Sequence, residues 1–281
     1  MIKRGYKIYG FIGAILIILV EINFFLKIPP FANWYFPLVW VGYILLIDSL
    51  VFKIKGNSLI TKRLNSFIGM SIISALLWWV FEFTNIKLQN WSYSGLENFS
   101  GNAEANLFGF IAFATVLPAL FETTELIRAI GLFENKKLIK SYKISKKFIH
   151  LMIALGIISF ILPLFFPKFT FPLIWLGFFF ILDPINYLHK QPSVIGHLKD
   201  KKVSIPLSLL LAGIILGFLW EFWNYWAIVK WVYDIPFVGF FKIFEMPLLG
   251  YLGYFPFSLE LYSMYWFLRS LLLKKESFLI K

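Results

Sequence analysis

Two pairs of polar residues, a glutamate followed three positions later by an asparagine, stand in stretches of the chain that are otherwise apolar. The first pair is Glu82 with Asn85, and the second is Glu221 with Asn224. A spacing of three places both side chains of a pair on one face of a helix. Charged residues at membrane depth cost roughly 2.5–3.5 kcal/mol each on insertion scales, so they usually face the protein interior. The pairs therefore indicate either a polar site or hydrogen bonds between helices.

Two further glutamates follow at equivalent positions in each half, Glu122 and Glu260. If neighbouring helices run in opposite directions, Glu122 comes to a depth similar to that of Glu82, and Glu260 to that of Glu221. A carboxyl in apolar surroundings can stay protonated and act as an acid, and two close carboxyls can divide acid and base roles. Aromatic faces stabilise cations. The four glutamates are therefore predicted to be catalytic, as acids or proton relays in the cyclisation or isomerisation of a polyene.

The predicted substrate-binding residues surround these acids. The asparagines are expected to orient the carboxyls, and the tryptophans beside them to stabilise positive charge. Two aspartates near the ends of apolar stretches fit a helix end with a polar turn, with a ligand site or a proton path as the alternative. The full predicted set is Asn85, Asn224, Trp79, Trp220, Trp223, Asp48 and Asp183.

The two halves of the chain carry the same order of motifs. Residues 36–40 and Asp48 recur as residues 171–175 and Asp183, and the glutamate–asparagine pairs and the later glutamates follow in the same order. Only the loop lengths between the motifs differ. A conserved order with variable loops is typical of a duplicated structural unit.

The composition indicates a membrane protein. Of its residues 59% are hydrophobic and 15% are charged, which is unlike a soluble domain. Stretches of about 20 apolar residues predict helices that cross a bilayer, since open strands would leave backbone groups unpaired in lipid. Eight such stretches lie near residues 8–27, 34–52, 66–86, 106–130, 148–166, 170–188, 205–228 and 247–273.

The basic residues alternate along the chain. Most of the 27 Lys and Arg residues lie in every second segment between the apolar stretches. The positive-inside rule then predicts that both termini and the central linker are cytoplasmic, with the cell inner membrane as the location. The net charge of +12 fits contact with anionic lipid. Because these lysines are spread over several loops without a recognition motif, no nucleic-acid partner is expected.

The predicted fold is all-α, with eight transmembrane helices in two parallel four-helix repeats. The first repeat covers residues 1–133, a basic cytoplasmic linker residues 134–147, and the second repeat residues 148–281. No metal site and no cofactor are expected, since the chain has no cysteine and no dense carboxylate motif. Repeats of this kind suit an enzyme site between two halves and also one known transporter plan.

One loop of the second half is rich in phenylalanine. Phe237, Phe240, Phe241 and Phe244 follow Pro236 at the spacing i, i+3, i+4 and i+7. This spacing predicts a helix with one aromatic face, which would serve as an interfacial anchor or as a lid over a site that opens to lipid.

The order of motifs in each half resembles that of the membrane-bound lycopene cyclase domains, which form carotenoid rings and occur as tandem or heterodimeric units. The motifs that carry the resemblance are Ile181-Leu182-Asp183, Trp223-Asn224 and the Gly-rich run 249–256 before Glu260, with Ile47-Asp48, Asn85 with Trp91, and Leu117-Pro118 before Glu122 in the first half. Each later glutamate comes four residues after its proline, whereas the family pattern has it within two or three. The resemblance implies a cofactor-free cyclase that uses acidic residues.

The leading hypothesis is an integral membrane protein that binds an isoprenoid or another lipid-like substrate between its repeats, with oligomeric state open. A proton-coupled transporter is the first alternative. The second is a structural protein in which the carboxyls only join helices.

Overall fold

The structure is a computed structural model that describes residues 5–134, 136 and 143–272. Half of the predicted linker 134–147 lies outside the described residues, as do the basic residues Lys3 and Arg4. The helices are α1 Ile8–Leu26, α2 Tyr35–Lys55, α3 Leu59–Lys62, α4 Leu64–Leu88, α5 Asn102–Ala114, α6 Val116–Ala129, α7 Lys146–Phe165, α8 Pro167–Thr170, α9 Ile174–Leu188, α10 Val194–Lys199, α11 Ser204–Trp226 and α12 Tyr254–Leu272. The strands are β1 Trp91–Ser94, β2 Lys230–Tyr233, β3 Lys242–Ile243 and β4 Met246–Pro247.

Among the described residues, seven helical segments are long and apolar enough to cross a membrane, which indicates an integral membrane protein. Five of them are the single helices α1, α2, α4, α7 and α11. The other two, Asn102–Ala129 and Pro167–Leu188, each contain two helices of the structure. The last predicted stretch, near 247–273, corresponds to α12, which is not among the seven.

A proline interrupts the fourth apolar stretch, 106–130, which the sequence predicts to be one helix. α5 ends at Ala114 and α6 begins at Val116. Pro118 has no backbone N–H to donate to the carbonyl of Ala114 four residues earlier, and its ring crowds that carbonyl. The break therefore has a local cause in the sequence.

The same helix pairs pack together in each half. α2 contacts α1 and α6, as α9 contacts α7 and α12. α4 packs on α6 and α11 packs on α12, while the cross-contacts α11 with α6 and α4 with α12 join the halves. The core lies where these central helices meet, and it includes the fully buried Trp40, Leu117, Leu209, Leu216 and Tyr265.

Paired glycines bring the first two helices of each half close together. A Cβ atom on Gly13 would lie 2.5 Å from the carbonyl oxygen of Gly42, and a Cβ atom on Gly156 would lie 2.9 Å from that of Gly177. Real Cβ atoms essentially never come so close to a backbone atom, so these helix pairs depend on glycine.

The bundle has two different ends. We call the end with β1 to β4 the strand end, and the opposite end, with the short helices α3 and α10, the turn-helix end. At the strand end β1 pairs antiparallel with β2, with Trp91 opposite Tyr233 and Tyr93 opposite Trp231. This two-stranded sheet links the two halves of the chain.

The predicted helix with an aromatic face after Pro236 is wrong. Phe237, Phe241 and Phe244 have φ angles of 64°, 50° and 59°, and left-handed residues cannot continue a right-handed helix. The segment instead folds back as the short β3–β4 pair. In a chain with 34 phenylalanines a helix-like spacing of this residue arises easily by chance.

Candidate functional site

A cavity of about 600 Å³ lies at the strand end between the two halves of the chain. Its walls come from α4, α5 and β1 of the first half, and from β2, the segment before α12 and the start of α9 in the second half. Aromatic rings make up much of the lining, and those used below are Trp78, Trp91, Tyr93, Trp175, Trp220 and Phe257. The volume lies within the usual range for small-molecule pockets.

Glu82 is the only carboxylate among the described residues that line this cavity. Its Oε1 accepts hydrogen bonds from Trp78 Nε1 at 2.9 Å, from Trp91 Nε1 at 3.3 Å and from the Tyr93 hydroxyl at 2.5 Å. No group in the described part of the chain hydrogen-bonds to Oε2. Glu82 is only partly buried, so one carboxyl oxygen is fixed and the other is left for a ligand.

Local structure brings these three donors to Glu82. Trp78 precedes Glu82 by four residues on α4, which places the two side chains on the same face. Trp91 and Tyr93 alternate along β1, so both side chains point to the same side of the strand. None of the three is among the predicted site residues, although the sequence repeats Trp91 and Tyr93 in the second half as Trp231 and Tyr233.

The two predicted asparagines hold the strands rather than the carboxyls. Asn85 donates from Nδ2 to the carbonyl of Trp91 at 2.7 Å and accepts from the backbone N–H of Asn90 at 2.9 Å. Asn224 donates to the carbonyl of Trp231 at 2.8 Å and accepts from its N–H at 2.9 Å. Each asparagine therefore ties the strand to the helix that precedes it.

Glu221 occupies the repeat position of Glu82 but is closed off. It is fully buried and does not line the cavity, and its Oε1 accepts from the hydroxyls of Tyr233 at 2.9 Å and Tyr254 at 2.5 Å. Four residues before Glu221 the chain has Gly217, where the first half has Trp78. The ring of Tyr254 fills the space beside Gly217, which leaves no room for a ligand at this carboxyl.

The tyrosines of the two strands are hydrogen-bond donors at neutral pH. Burial, and then the charge of Glu82, raises the pKa of Tyr93 well above its ordinary value. Burial and the charge of Glu221 do the same to the pKa of Tyr233. Both phenols therefore keep their protons and donate them to the neighbouring carboxyl oxygens.

Glu122 and Glu260 do not join the cavity, although the sequence predicts that they pair with Glu82 and Glu221. The charged neighbours of Glu122 are Asp48, Glu125 and Arg63, and its Oε1 has no hydrogen-bond partner in the described chain. Glu260 Oε1 accepts from the backbone N–H of Phe178 at 2.9 Å. Neither residue lines the cavity.

The helix lengths explain why Glu82 and Glu122 do not lie at the similar depth that the sequence predicts. α4 continues to Leu88, so Glu82 lies roughly 9 Å from the strand end of its helix at 1.5 Å per residue. α5 begins at Asn102, so Glu122 lies roughly 30 Å from the strand end along α5 and α6. The two carboxyls therefore stand at opposite ends of the bundle.

The aspartates predicted to bind substrate cap the short helices of the turn-helix end. Asp48 accepts from the Ser58 hydroxyl at 2.7 Å and from the Ile60 N–H at 2.9 Å, at the start of α3. Asp183 accepts from the N–H groups of Val194 at 2.7 Å and Ile195 at 2.9 Å, at the start of α10. Both satisfy N–H groups that a helix start leaves unpaired, and neither lines the cavity.

Of the predicted tryptophans, two line the cavity. Trp79 and Trp220 belong to its walls, whereas Trp223 donates from Nε1 to Glu21 Oε1 at 3.0 Å and so joins α11 to α1. The sequence also missed Trp175, a wall residue whose ring stacks on Phe81 with 5.2 Å between the centroids. Trp175 belongs to the repeated motif of residues 171–175, but the repeat alone does not say which of its members faces a cavity.

In the described residues no group of three or more His, Asp or Glu side chains is placed to hold a metal ion. No protein-family model, no curated protein and no solved structure matches this chain. Its function is therefore inferred from the cavity and from the groups that line it.

Proposed function

We propose that the strand-end cavity binds an isoprenoid or another lipid-like substrate and starts its cyclisation or isomerisation by protonation from Glu82. This is chemistry of the lycopene cyclase type. The observation that carries the proposal is a single carboxyl, held by three donors on one oxygen, in an aromatic cavity of about 600 Å³ between two membrane-embedded halves. The cavity suits a largely apolar molecule, since such pockets combine hydrophobic walls with few polar groups.

The proposed reaction needs only one carboxyl and two substrate double bonds. Glu82 donates its proton to one carbon of a double bond, whose π electrons form the new C–H bond and leave positive charge on the neighbouring carbon. A second double bond attacks that carbon and closes a ring. Loss of a proton from the ring cation to the Glu82 carboxylate then forms a new double bond. The product is an isomer of the substrate, so no cofactor is consumed.

The surroundings of Glu82 support this role at both stages. Oε2 has no partner in the described chain and is available to carry the proton toward the substrate. After transfer, the hydrogen bonds from Trp78, Trp91 and Tyr93 stabilise the carboxylate. The faces of wall residues such as Trp175 and Trp220 stabilise the carbocation.

The proposal includes an eighth membrane span, α12. This helix carries tyrosines, serines, Glu260 and Arg269, which lower its hydropathy. It packs against α4, α6, α9 and α11, and 11 of its residues are buried. A helix that is surrounded by other helices contacts little lipid, so it does not need an apolar surface all round.

The proposed architecture is a pair of parallel repeats related by a twofold axis. The β1–β2 register supports it, because each strand places its tryptophan opposite the tyrosine of the other. The glycine pairs between the first two helices of each half and the matching helix contacts support it as well. The axis then passes near the pair Ser92 and Val232, beside the cavity.

We further propose that the turn-helix end is cytoplasmic, in the cell inner membrane. The start of α1 lies at this end, where the N–H of Lys7 donates to Ser49 and the Tyr9 hydroxyl to Asp48. Lys53, Lys55 and the basic residues after α10 lie there too, which fits the positive-inside rule. Substrate then enters the cavity from the opposite leaflet.

The test compares Glu82→Gln with Glu97→Gln in membranes supplied with a linear polyisoprenoid such as lycopene. Glu97 is exposed at the same end of the bundle and does not line the cavity, so it is a matched control for the change of charge. General acid catalysis typically contributes 10²–10⁴-fold, so we expect Glu82→Gln to lose about 100-fold or more of the turnover measured by chromatography of extracted lipids. Full turnover by the Glu82→Gln variant would overturn the proposal.

A proton-coupled transporter is the rival function, and it predicts a different measurement. Proteoliposomes with a transporter would show uptake of substrate driven by a pH gradient. The proposed cyclase would show conversion of the lipid and no such uptake.

A further inference from the structure

When Glu82 is ionised, the strand-end cavity carries a negative charge that no described lining residue balances. Among the described lining residues Glu82 is the only carboxylate and Lys230 is the only Lys or Arg. The ammonium of Lys230 is already paired, since it lies 2.7 Å from Glu245 Oε1 and 5.0 Å from the centre of the Tyr225 ring. Lys230 and Glu245 therefore neutralise each other, and the charge of an ionised Glu82 remains.

The hydrogen bonds to Glu82 do not remove this charge. All three donors, the indoles of Trp78 and Trp91 and the phenol of Tyr93, are neutral groups. They fix Oε1 in place and leave Oε2 without a partner in the described chain. A carboxylate held in this way is a fixed counter-ion for a positively charged ligand.

The cavity wall beside Glu82 is a continuous surface of aromatic rings. Phe257 lies at its centre, with ring centroids 5.4 Å from Trp175, 5.9 Å from Trp220 and 6.1 Å from Trp78. Trp91 continues the surface, with its ring centroid 6.1 Å from that of Trp175. Faces of tryptophan and phenylalanine attract cations, and they also accept the alkyl groups of an organic cation.

We propose that this cavity is a binding site for an organic cation, the quaternary ammonium or amine group of an amphiphile, with Glu82 as its counter-ion and the aromatic wall around its alkyl groups. A metal ion does not fit the same description, because hard cations require several oxygen ligands and the wall offers rings. This binding goes beyond the proposed function, since it uses the ionised form of Glu82 instead of the protonated form, and a stable cation binds without being turned over.

The test uses purified full-length protein and two soluble probes of equal chain length, hexyltrimethylammonium and hexanol. Tryptophans line the cavity, so titration can be followed by quenching of their fluorescence and checked by calorimetry. We expect saturable binding of the ammonium probe and at least roughly 10-fold weaker binding of hexanol, since a paired charge and ring contacts are lost.

Two sets of variants locate the site. Glu82→Gln is expected to weaken binding of the ammonium probe roughly 10-fold or more, and Glu97→Gln to leave it within about twofold. Trp175→Leu is expected to weaken binding roughly 3- to 30-fold, whereas Trp175→Phe, which keeps a ring, should retain most of it. Equal affinity for both probes, or unchanged affinity in Glu82→Gln with the thermal midpoint intact, would overturn the proposal.

A second arm identifies the source of the cation. The titration is repeated in nanodiscs of phosphatidylglycerol alone and of phosphatidylglycerol with phosphatidylcholine. Competition by phosphatidylcholine assigns the site to a lipid headgroup, and undiminished binding assigns it to a free amphiphile. A wild-type protein that turns over polyisoprenoids but does not bind the ammonium probe would contradict only this inference. A wild-type protein that binds the probe but does not turn over polyisoprenoids would contradict only the proposed function.

Discussion

A side chain at Gly217 would overlap the ring of Tyr254, whose hydroxyl donates to Glu221 at 2.5 Å. The equivalent space in the first half is arranged the other way, with Trp78 on the earlier helix and the smaller Val116 on the later one. Both large side chains donate to the glutamate of their own half. Glu82 nevertheless lines the cavity, whereas Glu221 is fully buried. The exchange of a large and a small residue between the two helices thus gives different environments to two glutamates at the same repeat position.

Gly217→Ala is therefore expected to destabilise the protein. Its Cβ would meet three atoms of the Tyr254 ring, and overpacking of this kind costs typically 1–3 kcal/mol. The matched control is Gly109→Ala in α5, where a Cβ meets only ordinary contacts and where alanine favours the helix by up to about 1 kcal/mol. Thermal unfolding in detergent measures both variants. A Gly217→Ala protein as stable as Gly109→Ala would show that Tyr254 moves aside without cost.

His197 gives the turn-helix end a pH-dependent stability. Burial, and then the positive charges of Lys202 and Arg128, lowers the pKa of His197 from its ordinary 6.5 to about 4, and the ring contacts the Tyr262 hydroxyl at 2.7 Å. The unfolded chain binds a proton near pH 6.5 while the folded chain does not until about pH 4. The free energy of unfolding is thus level above pH 6.5 and falls as the pH drops toward 4, by at most roughly 3 kcal/mol.

The check is the thermal midpoint of the wild type and of His197→Gln between pH 7.5 and pH 4.5. The wild type should lose stability over this interval, and the glutamine variant should lose less because it cannot take up the proton. Parallel curves for the two proteins would assign the acid sensitivity to other groups.

At the scale of elements, the two strands depend on the helices that precede them. The side chain of Asn224 is fully buried and satisfies both backbone groups of Trp231, as Asn85 does for the N–H and carbonyl groups of β1. The strands in turn carry donors for the glutamates, since Tyr93 and Tyr233 reach Glu82 and Glu221. The junction between helix and strand thus positions the tyrosine hydroxyl that donates to each glutamate.

Asn224→Ala should release β2 from α11. The substitution leaves the N–H and the carbonyl of Trp231 without their side-chain partner, at a cost of about 1–3 kcal/mol for each group that stays buried. We expect faster amide hydrogen exchange in residues 230–233 and, under the proposed function, weaker polyisoprenoid turnover. Asn106→Ala, an exposed change in α5, is the control and should leave exchange in β2 unchanged. Unaltered protection of β2 in Asn224→Ala would contradict this role.

The elements differ in how far their sequence determines them. Long apolar helices such as α4 and α11 follow from hydropathy alone, with errors of a few residues at their ends. Glu82 and Glu122 do not pair because Glu82 lies near the strand end of α4, whereas Glu122 lies roughly 30 Å from that end along α5 and α6. The left-handed residues after Pro236 have no periodic signature in the sequence, so the phenylalanine spacing wrongly predicts a helix there.

The repeated polar residues show a similar limit at the site. Asp48, Asp183, Asn85 and Asn224 were recognised as a repeated set, but their partners are backbone N–H and carbonyl groups that no side-chain pattern reveals. Glu82 stands out in the sequence as a polar group in an apolar stretch, and its position in a cavity follows only from the pairing of β1 with β2 across the halves. A pattern in a single sequence does not show which distant segments pair with each other.

At the scale of the molecule, the number of membrane crossings decides which groups share a side. With eight spans, the turn-helix end has the start of α1, the α10–α11 turn and the end of α12 on one side of the membrane. The strand end and the cavity mouth lie on the other side. If α12 does not cross, the end of that helix must lie on the same side as the strands.

Single cysteines test this topology cleanly, because the chain has no cysteine of its own. We propose Gly101→Cys at the strand end, Lys202→Cys after α10 and Leu272→Cys at the end of α12, all at exposed positions. In intact cells a membrane-impermeant maleimide should label only Gly101→Cys, and the other two should react only after permeabilisation. The positive-inside rule predicts this orientation, since the basic residues cluster at the turn-helix end. Labelling of both Leu272→Cys and Gly101→Cys in intact cells would mean seven crossings and would contradict the eight-span architecture. Labelling of Lys202→Cys and Leu272→Cys but not of Gly101→Cys would reverse only the orientation.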